Sequence, residues 1–153
     1  MRERTLGLRL VRSKKTVSVA ESCTGGLLGQ RISSVSGSSR YFLGGVIAYS
    51  DRIKTGILGV SKTTLKKHGA VSREVALEMA QKVRRKFRTD YGVGVTGIAG
   101  PKSDGSKKPV GLVHVAVAGP RKMICKKFRF RGSRAHIRSL SAQAALDILL
   151  KQL

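Results

Sequence analysis

The chain contains few cysteines, acidic residues and aromatic residues, and it has no long apolar run. Two cysteines among 153 residues do not build a disulfide framework, and no CxxC or His/Cys cluster offers a zinc site. No stretch approaches the ~20 apolar residues that cross a bilayer. The first residues also lack the apolar core of a secretory signal. The sequence therefore predicts a soluble, cytoplasmic protein with no membrane association, no metal ion and no cofactor.

The few acidic residues leave a large positive charge. Thirty-one Lys and Arg residues stand against 8 Asp and Glu residues, so the formal net charge is +23. Such a field attracts phosphates, acidic substrates and nucleic acid. The basic residues are scattered, with concentrations at 62–67, 84–88 and 121–138, and few aromatic residues accompany them, which argues against a base-stacking platform. Two interpretations stay open: a solvated basic surface and non-specific binding of nucleic acid.

Hydrophobic periodicity divides the chain into alternating helices and strands. Predicted helices cover Arg2–Arg12, Leu27–Val35, a short segment from the cap Ser61 to Lys67, a longer segment after the cap Ser72, and a final segment after the cap Ser133. Predicted strands cover Thr16–Ala20, Gly45–Ser50, Tyr91–Thr96, Pro109–Ala118 and Ile124–Arg131. Residues 36–39 and 97–108 are predicted loops. This alternation predicts an α/β fold: a single layered α/β/α domain over residues 1–153, with a mostly mixed central sheet and no separate N-terminal domain.

The turn between the first strand and the second helix carries Ser22, Cys23, Thr24, Gly25 and Gly26. Backbone N–H groups at a helix N-terminus lack intrahelical partners. A serine there can act as a nucleophile, with the same amides stabilising the oxyanion that forms. The alternative is an ordinary helix cap made by Ser22 or Thr24. Cys23 is a second candidate nucleophile, although no nearby histidine favours its thiolate.

A serine nucleophile needs a base, and no Ser/His/Asp arrangement or GxSxG elbow is present. A lysine can serve if its pKa falls from ~10.4 toward neutrality, which burial and neighbouring cations both favour. Tyr49 and Lys54 follow the second strand and are candidates for a proton relay and a base. Spacing alone does not distinguish Lys54 from the other lysines.

Five ordered motifs resemble the CinA C-terminal family, the nicotinamide mononucleotide deamidases, over nearly the whole chain. They are Ala20-Glu21-Ser22-Cys23-Thr24-Gly25-Gly26, Gly37-Ser38-Ser39-Arg40-Tyr41-Phe42, Gly44-Gly45-Val46-Ile47-Ala48-Tyr49-Ser50 followed by Lys54, His68-Gly69-Ala70-Val71-Ser72, and Val95-Thr96-Gly97-Ile98-Ala99-Gly100-Pro101 with Lys108-Pro109-Val110-Gly111.

The resemblance implies an amidohydrolase for pyridine-nucleotide salvage that converts nicotinamide mononucleotide to nicotinic acid mononucleotide and ammonia without a metal. It places the catalytic set on Ser22, Tyr49 and Lys54. Expected substrate contacts are the turn residues Cys23, Thr24, Gly25 and Gly26, together with Ser39, Thr96, Gly97, Gly100 and an arginine of the last helix, for which Arg134 and Arg138 both fit. A homodimer is also implied.

The chain departs from the family pattern in one motif, where Lys102-Ser103-Asp104-Gly105 replaces successive glycines after Gly100-Pro101. This change is expected to be tolerated, although it can alter the affinity for phosphate. Two alternatives to the enzyme remain: a basic nucleic-acid-binding module and a non-catalytic scaffold that keeps the fold.

Overall fold

The computed structural model describes all residues from 1 to 153. The helices are α1 (Arg2–Ser13), α2 (Leu27–Ser33), α3 (Asp51–Ile53), α4 (Lys62–His68), α5 (Arg73–Phe87) and α6 (Arg134–Leu150). The strands are β1 (Val17–Glu21), β2 (Phe42–Ile47), β3 (Tyr91–Gly97), β4 (Leu112–Ala118) and β5 (Met123–Arg129). A 3₁₀ turn covers Ser38–Arg40, and a π-helical turn, Lys54–Leu58, continues α3. No helix is both long enough and apolar enough to span a membrane.

The five strands form one mixed sheet in the order β2-β1-β3-β4-β5. Strand β1 lies between β2 and β3 and is parallel to both, whereas β3–β4 and β4–β5 are antiparallel. Helix α5 covers one face, and α1, α2 and α6 pack on the other. The predicted layered α/β fold with a mixed sheet is therefore confirmed.

Alternation along the central strands produces these two apolar faces. Valines of β1, β3 and β4 point toward α1, α2 and α6 and join the largest buried cluster. On the opposite face, β3 carries Gly92 and Gly94 directly beneath α5. A Cβ at either position would collide with the backbone of α5, so the two glycines allow the helix to lie against the sheet. This close packing fixes β3, whose carboxyl end forms one wall of the site.

The predicted serine caps are confirmed, whereas several predicted boundaries are wrong. Ser61, Ser72 and Ser133 each accept a hydrogen bond from a backbone N–H in the first turn of the helix that follows. The second strand runs from Phe42 to Ile47 instead of 45–50, because Ser50 already caps α3.

The bounds of β4 and β5 also differ from the prediction. Residues 109–111 form a turn ahead of β4, in which Gly111 has a φ of 88°. Strand β5 covers 123–129 instead of 124–131. Part of the predicted loop at 36–39 is the 3₁₀ turn.

Candidate active site

A cleft of about 450 Å³ opens where the parallel strands β1 and β3 end. This size is within the range of small-molecule sites. The end of β1 contributes Ser22, and the end of β3 contributes Thr96 and Gly97. Other lining residues are Cys23, Tyr49, Asp51, Lys54, Ala70, Val71, Ile98, Ala99, Gly100, Lys102, Ser103, Asp104 and Arg134. The carboxyl edge of a parallel sheet is the usual position for ligands in open α/β folds.

The cleft brings Ser22 and Lys54 together. Lys54 Nζ lies 3.1 Å from Ser22 Oγ and donates a second hydrogen bond, at 3.3 Å, to the Tyr49 carbonyl oxygen. Both side chains are buried, with 7 % of Ser22 and 2 % of Lys54 exposed. The π-helical turn that begins at Lys54 aims the lysine at the end of β1. A serine and an amine in hydrogen-bond contact have the arrangement that a nucleophile and its base require.

Burial lowers the pKa of Lys54 below its usual value, because desolvation disfavours the charged ammonium. Asp51, whose Oδ1 lies 3.8 Å from Nζ, opposes this decrease, and so does Cys23. The Asp51 carboxylate is 64 % exposed, so solvent screens its effect. The environment therefore increases the neutral fraction of the amine, which is the form that can accept a proton from Ser22.

Glu21 makes the cap of α2, so the alternative interpretation of Ser22 or Thr24 as the cap is wrong. The buried Glu21 carboxylate accepts hydrogen bonds from the backbone N–H groups of Gly26, Leu28 and Gly29, at 3.1, 2.9 and 2.7 Å. Ser22 takes no part in the cap and lines the cleft. Sequence reasoning assigned no role to Glu21, although an acidic residue just before a helix is a known capping signal.

Two backbone N–H groups of the turn, those of Cys23 and Thr24, have no hydrogen-bond acceptor in the protein. The N–H of Gly25 instead donates to the Ser22 carbonyl oxygen, and that of Gly26 donates to Glu21. Free N–H groups beside a nucleophile are the requirement for an oxyanion hole. Within this turn, the candidate donors of an oxyanion hole are therefore the backbone N–H groups of Cys23 and Thr24.

The two candidate arginines of α6 have different positions. Arg138 donates to the carbonyl oxygens of Cys23 and Thr24, at 3.1 and 2.9 Å, and does not line the cleft. Arg134 does line it and donates to the Gly100 carbonyl oxygen at 2.7 Å. The structure therefore places Arg134 where a substrate can reach it, while Arg138 holds the turn that carries Ser22.

The Tyr49 hydroxyl does not contact Ser22 or Lys54. It accepts a hydrogen bond of 2.9 Å from Arg134, and 57 % of the residue is exposed. Only its backbone carbonyl oxygen reaches Lys54. The structure thus brings the Tyr49 side chain to the mouth of the cleft, which is not the position that a proton relay between Ser22 and Lys54 requires.

Lys108 fixes the wall of the cleft that contains Ala70 and Val71. Its ammonium donates to the carbonyl oxygens of His68 and Val71, at 2.7 and 2.6 Å, and Thr96 Oγ1 donates to the Ala70 carbonyl oxygen at 2.8 Å. The loop after α4 is therefore held from two sides. The motif containing Lys108 was visible in the sequence, but nothing in its spacing indicated this role.

Cys23 is unsuited to act as the nucleophile. It is 5 % exposed, and burial raises the pKa of its thiol to about 12. Because the thiolate is the reactive form, this thiol is inert near neutral pH.

Four other expected contacts are not among the residues that line the cleft. Ser39 is at the opposite edge of the sheet, because β2 begins beside the start of β1 while Ser22 follows its end. Thr24 is fully buried, and its hydroxyl has no hydrogen-bond partner. Gly26 lines a separate groove between α2 and β2. Gly25, with a φ of 56°, faces Arg138 instead of the cleft. Gly97 and Gly100 do line the cleft.

Comparison with known proteins gives one consistent result. The model of the CinA C-terminal domain family matches residues 2–153. A CinA-like protein of Koribacter versatilis is 48 % identical over 151 residues, covering 99 % of this chain and 36 % of the relative. A putative competence-damage inducible protein of Desulforamulus reducens is 47 % identical over 146 residues, covering 95 % of this chain and 35 % of its own length. The chain thus spans about a third of the length of these curated relatives.

Solved structures agree with these sequence relatives. A CinA superfamily protein from Escherichia coli has a TM-score of 0.96 at 29 % identity, covering 99 % of this chain and 88 % of its own. The competence/damage inducible protein CihA from Agrobacterium tumefaciens has a TM-score of 0.91 at 36 % identity, covering 99 % of this chain and 95 % of its own.

Proposed function

The chain belongs to the CinA C-terminal domain family, and from the geometry of its cleft we propose that it is an amidohydrolase that converts nicotinamide mononucleotide to nicotinic acid mononucleotide and ammonia. The observation that carries the proposal is the buried Lys54 amine at 3.1 Å from Ser22 Oγ. Burying an amine is costly to the fold when its nearest carboxylate, here Asp51 at 3.8 Å, is mostly exposed to solvent. A non-catalytic scaffold does not require a buried amine beside Ser22 Oγ, whereas a general base for Ser22 does.

The first half of the reaction forms an acyl-enzyme. Ser22 Oγ attacks the carboxamide carbon while its proton moves to the neutral Lys54 Nζ. The carbonyl oxygen becomes an oxyanion that the N–H groups of Cys23 and Thr24 stabilise. The C–N bond then breaks, and the Lys54 ammonium donates its proton to the leaving nitrogen, which departs as ammonia.

The second half returns the enzyme to its starting state. Water attacks the acyl carbon as Lys54 Nζ accepts its proton, and the bond from the carbon to Ser22 Oγ breaks. The serine oxygen recovers a proton from Lys54, and the pyridine carboxylic acid is released and gives its proton to the solvent. One base thus serves both steps, which agrees with a single titratable group in contact with the nucleophile.

The cations at the mouth of the cleft suit the substrate's 5′-phosphate. Arg134 uses part of its guanidinium on Gly100 and Tyr49, which fixes its orientation and leaves other N–H groups free for an anion. Lys102 adds a second positive charge at the same rim. Gly100 has a φ of 78°, and a Cβ there would collide with Val110, so glycine is needed for the backbone of this wall.

The test is ammonia release from nicotinamide mononucleotide by the purified chain, by Ser22→Ala and by the neighbouring control Cys23→Ala. We expect Ser22→Ala to lose at least ~10³-fold in kcat, as when a covalent nucleophile is removed, while Cys23→Ala stays within a few-fold of the parent. Full activity in Ser22→Ala would overturn the mechanism. Absence of activity in the folded parent at all substrate concentrations would overturn the proposed reaction.

A further inference from the structure

The acidic side chains of the protein are all engaged by its own groups, whereas most of its cations are not. The eight carboxylates contact partners within the chain: Glu3, Glu21, Asp51, Glu74, Glu78, Asp90, Asp104 and Asp147. Only four Lys or Arg side chains have a carboxylate within 4 Å, so 27 of the 31 have none. Most of the positive charge is therefore not neutralised within the chain.

Unpaired cations are concentrated along the edge of the sheet formed by β5. No Asp or Glu occurs between Gly105 and Leu146. Strand β5 and the segments on either side of it present six exposed cations, here called the basic edge: Arg121, Lys122, Lys126, Lys127, Arg129 and Arg131. None of the six forms an ion pair or a side-chain hydrogen bond within the chain, and none lines the catalytic cleft.

Two of these cations lie on the same face of the strand. Lys127 and Arg129 lie two residues apart on one face of β5, which spaces them by ~6.8 Å. Phosphates of one strand in duplex DNA rise by ~3.4 Å along the helix axis, so the separation of these two cations is on the scale of the phosphate repeat. Lys126 on the opposite face and the hairpin cations at 121–122 extend the charge along the edge. We propose that the basic edge binds the phosphodiester backbone of a nucleic acid.

The aromatic residues of this segment indicate that the recognition is independent of base sequence. Phe128 and Phe130 stack on each other with ring centroids 5.2 Å apart, and both pack against the main core. Their faces are therefore engaged within the protein and are not a platform for bases. Met123 is the one large exposed apolar side chain on β5. Stable membrane anchoring requires more buried apolar surface than this, which favours nucleic acid over a lipid surface.

The binding surface is tested by comparing two variants of equal charge. The first replaces four cations of the basic edge (Lys126→Gln, Lys127→Gln, Arg129→Gln, Arg131→Gln). The second replaces four exposed, unpaired cations elsewhere (Arg4→Gln, Lys67→Gln, Arg85→Gln, Lys86→Gln). Fluorescence anisotropy with labelled 20-mers, single-stranded and duplex, gives the Kd at salt concentrations from 50 to 300 mM. Thermal melting shows that each variant is folded.

Each phosphate contact contributes ~0.7 (single strand) to ~0.9 (duplex) to the slope of log K against log salt. We therefore expect the edge variant to lose about 3 from the slope and at least ~10-fold in affinity at 100 mM salt, with the control variant close to the parent. Equal weakening in both variants would mean that binding follows net charge alone and would overturn the proposal. The proposal would also be overturned if the protein bound anionic phosphatidylserine vesicles through the basic edge but bound neither 20-mer. Ammonia release is expected to be unchanged in the edge variant, so this result and that of the proposed function are independent.

Discussion

Replacing Lys54 with methionine is expected to change activity and stability in opposite directions. Methionine fills a similar volume but lacks the amine that lies 3.1 Å from Ser22 Oγ. A positioned general base contributes ~10²–10⁴-fold to a rate, so kcat should fall by that factor. Because burial of the Lys54 amine costs more than the exposed Asp51 carboxylate offsets, its replacement by an apolar side chain should raise the free energy of unfolding by ~1–4 kcal/mol. The melting temperature should rise by roughly 3–10 °C.

The lowered pKa of Lys54 also predicts how activity and stability change with pH. The neutral amine is the active form, and burial lowers the pKa of Lys54. The parent's kcat/KM should therefore rise with pH and reach its plateau below the ~10.4 of an ordinary lysine. Between the lowered pKa of Lys54 in the folded protein and its ordinary pKa in the unfolded chain, the unfolded chain binds more protons than the folded protein. Stability should therefore rise with pH there and stay at its lower value below the folded pKa. Lys54→Met should lose this dependence.

The assays are ammonia release and thermal melting across pH 6–10, with the exposed Lys67→Met as control. A Lys54→Met protein that keeps activity within tenfold of the parent would refute the role of the amine as base. A variant that loses activity and also melts well below the parent would show that Lys54 supports the fold, and the reasoning from its burial would be wrong.

Two further predictions concern charged residues that line the cleft. Asp51→Asn removes the carboxylate that opposes the lowered pKa of Lys54, so the rising limb of the kcat/KM profile should move to lower pH; a shift to higher pH would contradict this assignment. Arg134→Gln removes a charged donor from the mouth of the cleft, which at ~1.5–3 kcal/mol per charged hydrogen bond should raise the KM for nicotinamide mononucleotide by ~10–100-fold. The KM for nicotinamide riboside, which has no phosphate, should change little, and an equal rise for both substrates would show that Arg134 does not bind phosphate.

Local chemistry made several features predictable from the sequence. The caps at Ser61, Ser72 and Ser133 depend on a hydroxyl reaching an N–H two or three residues away, which needs no tertiary contact. The layered α/β fold followed from alternating periodicity, and family membership followed from five ordered motifs. Boundaries were less predictable where a neighbouring element ends a strand, as the cap of α3 at Ser50 does for β2.

The sequence by itself determined the residues of the candidate site, its family and the size of its positive charge. Only the tertiary structure decided which residues meet. Lys54 reaches Ser22 across 32 positions of the chain, Arg134 and not Arg138 lines the cleft, and Ser39 lies at the far edge of the sheet. The physical reason is that burial and long-range contact arise from packing. The pairing of β1 with both of its neighbours brings distant segments to one edge and removes the water that would keep the lysine charged.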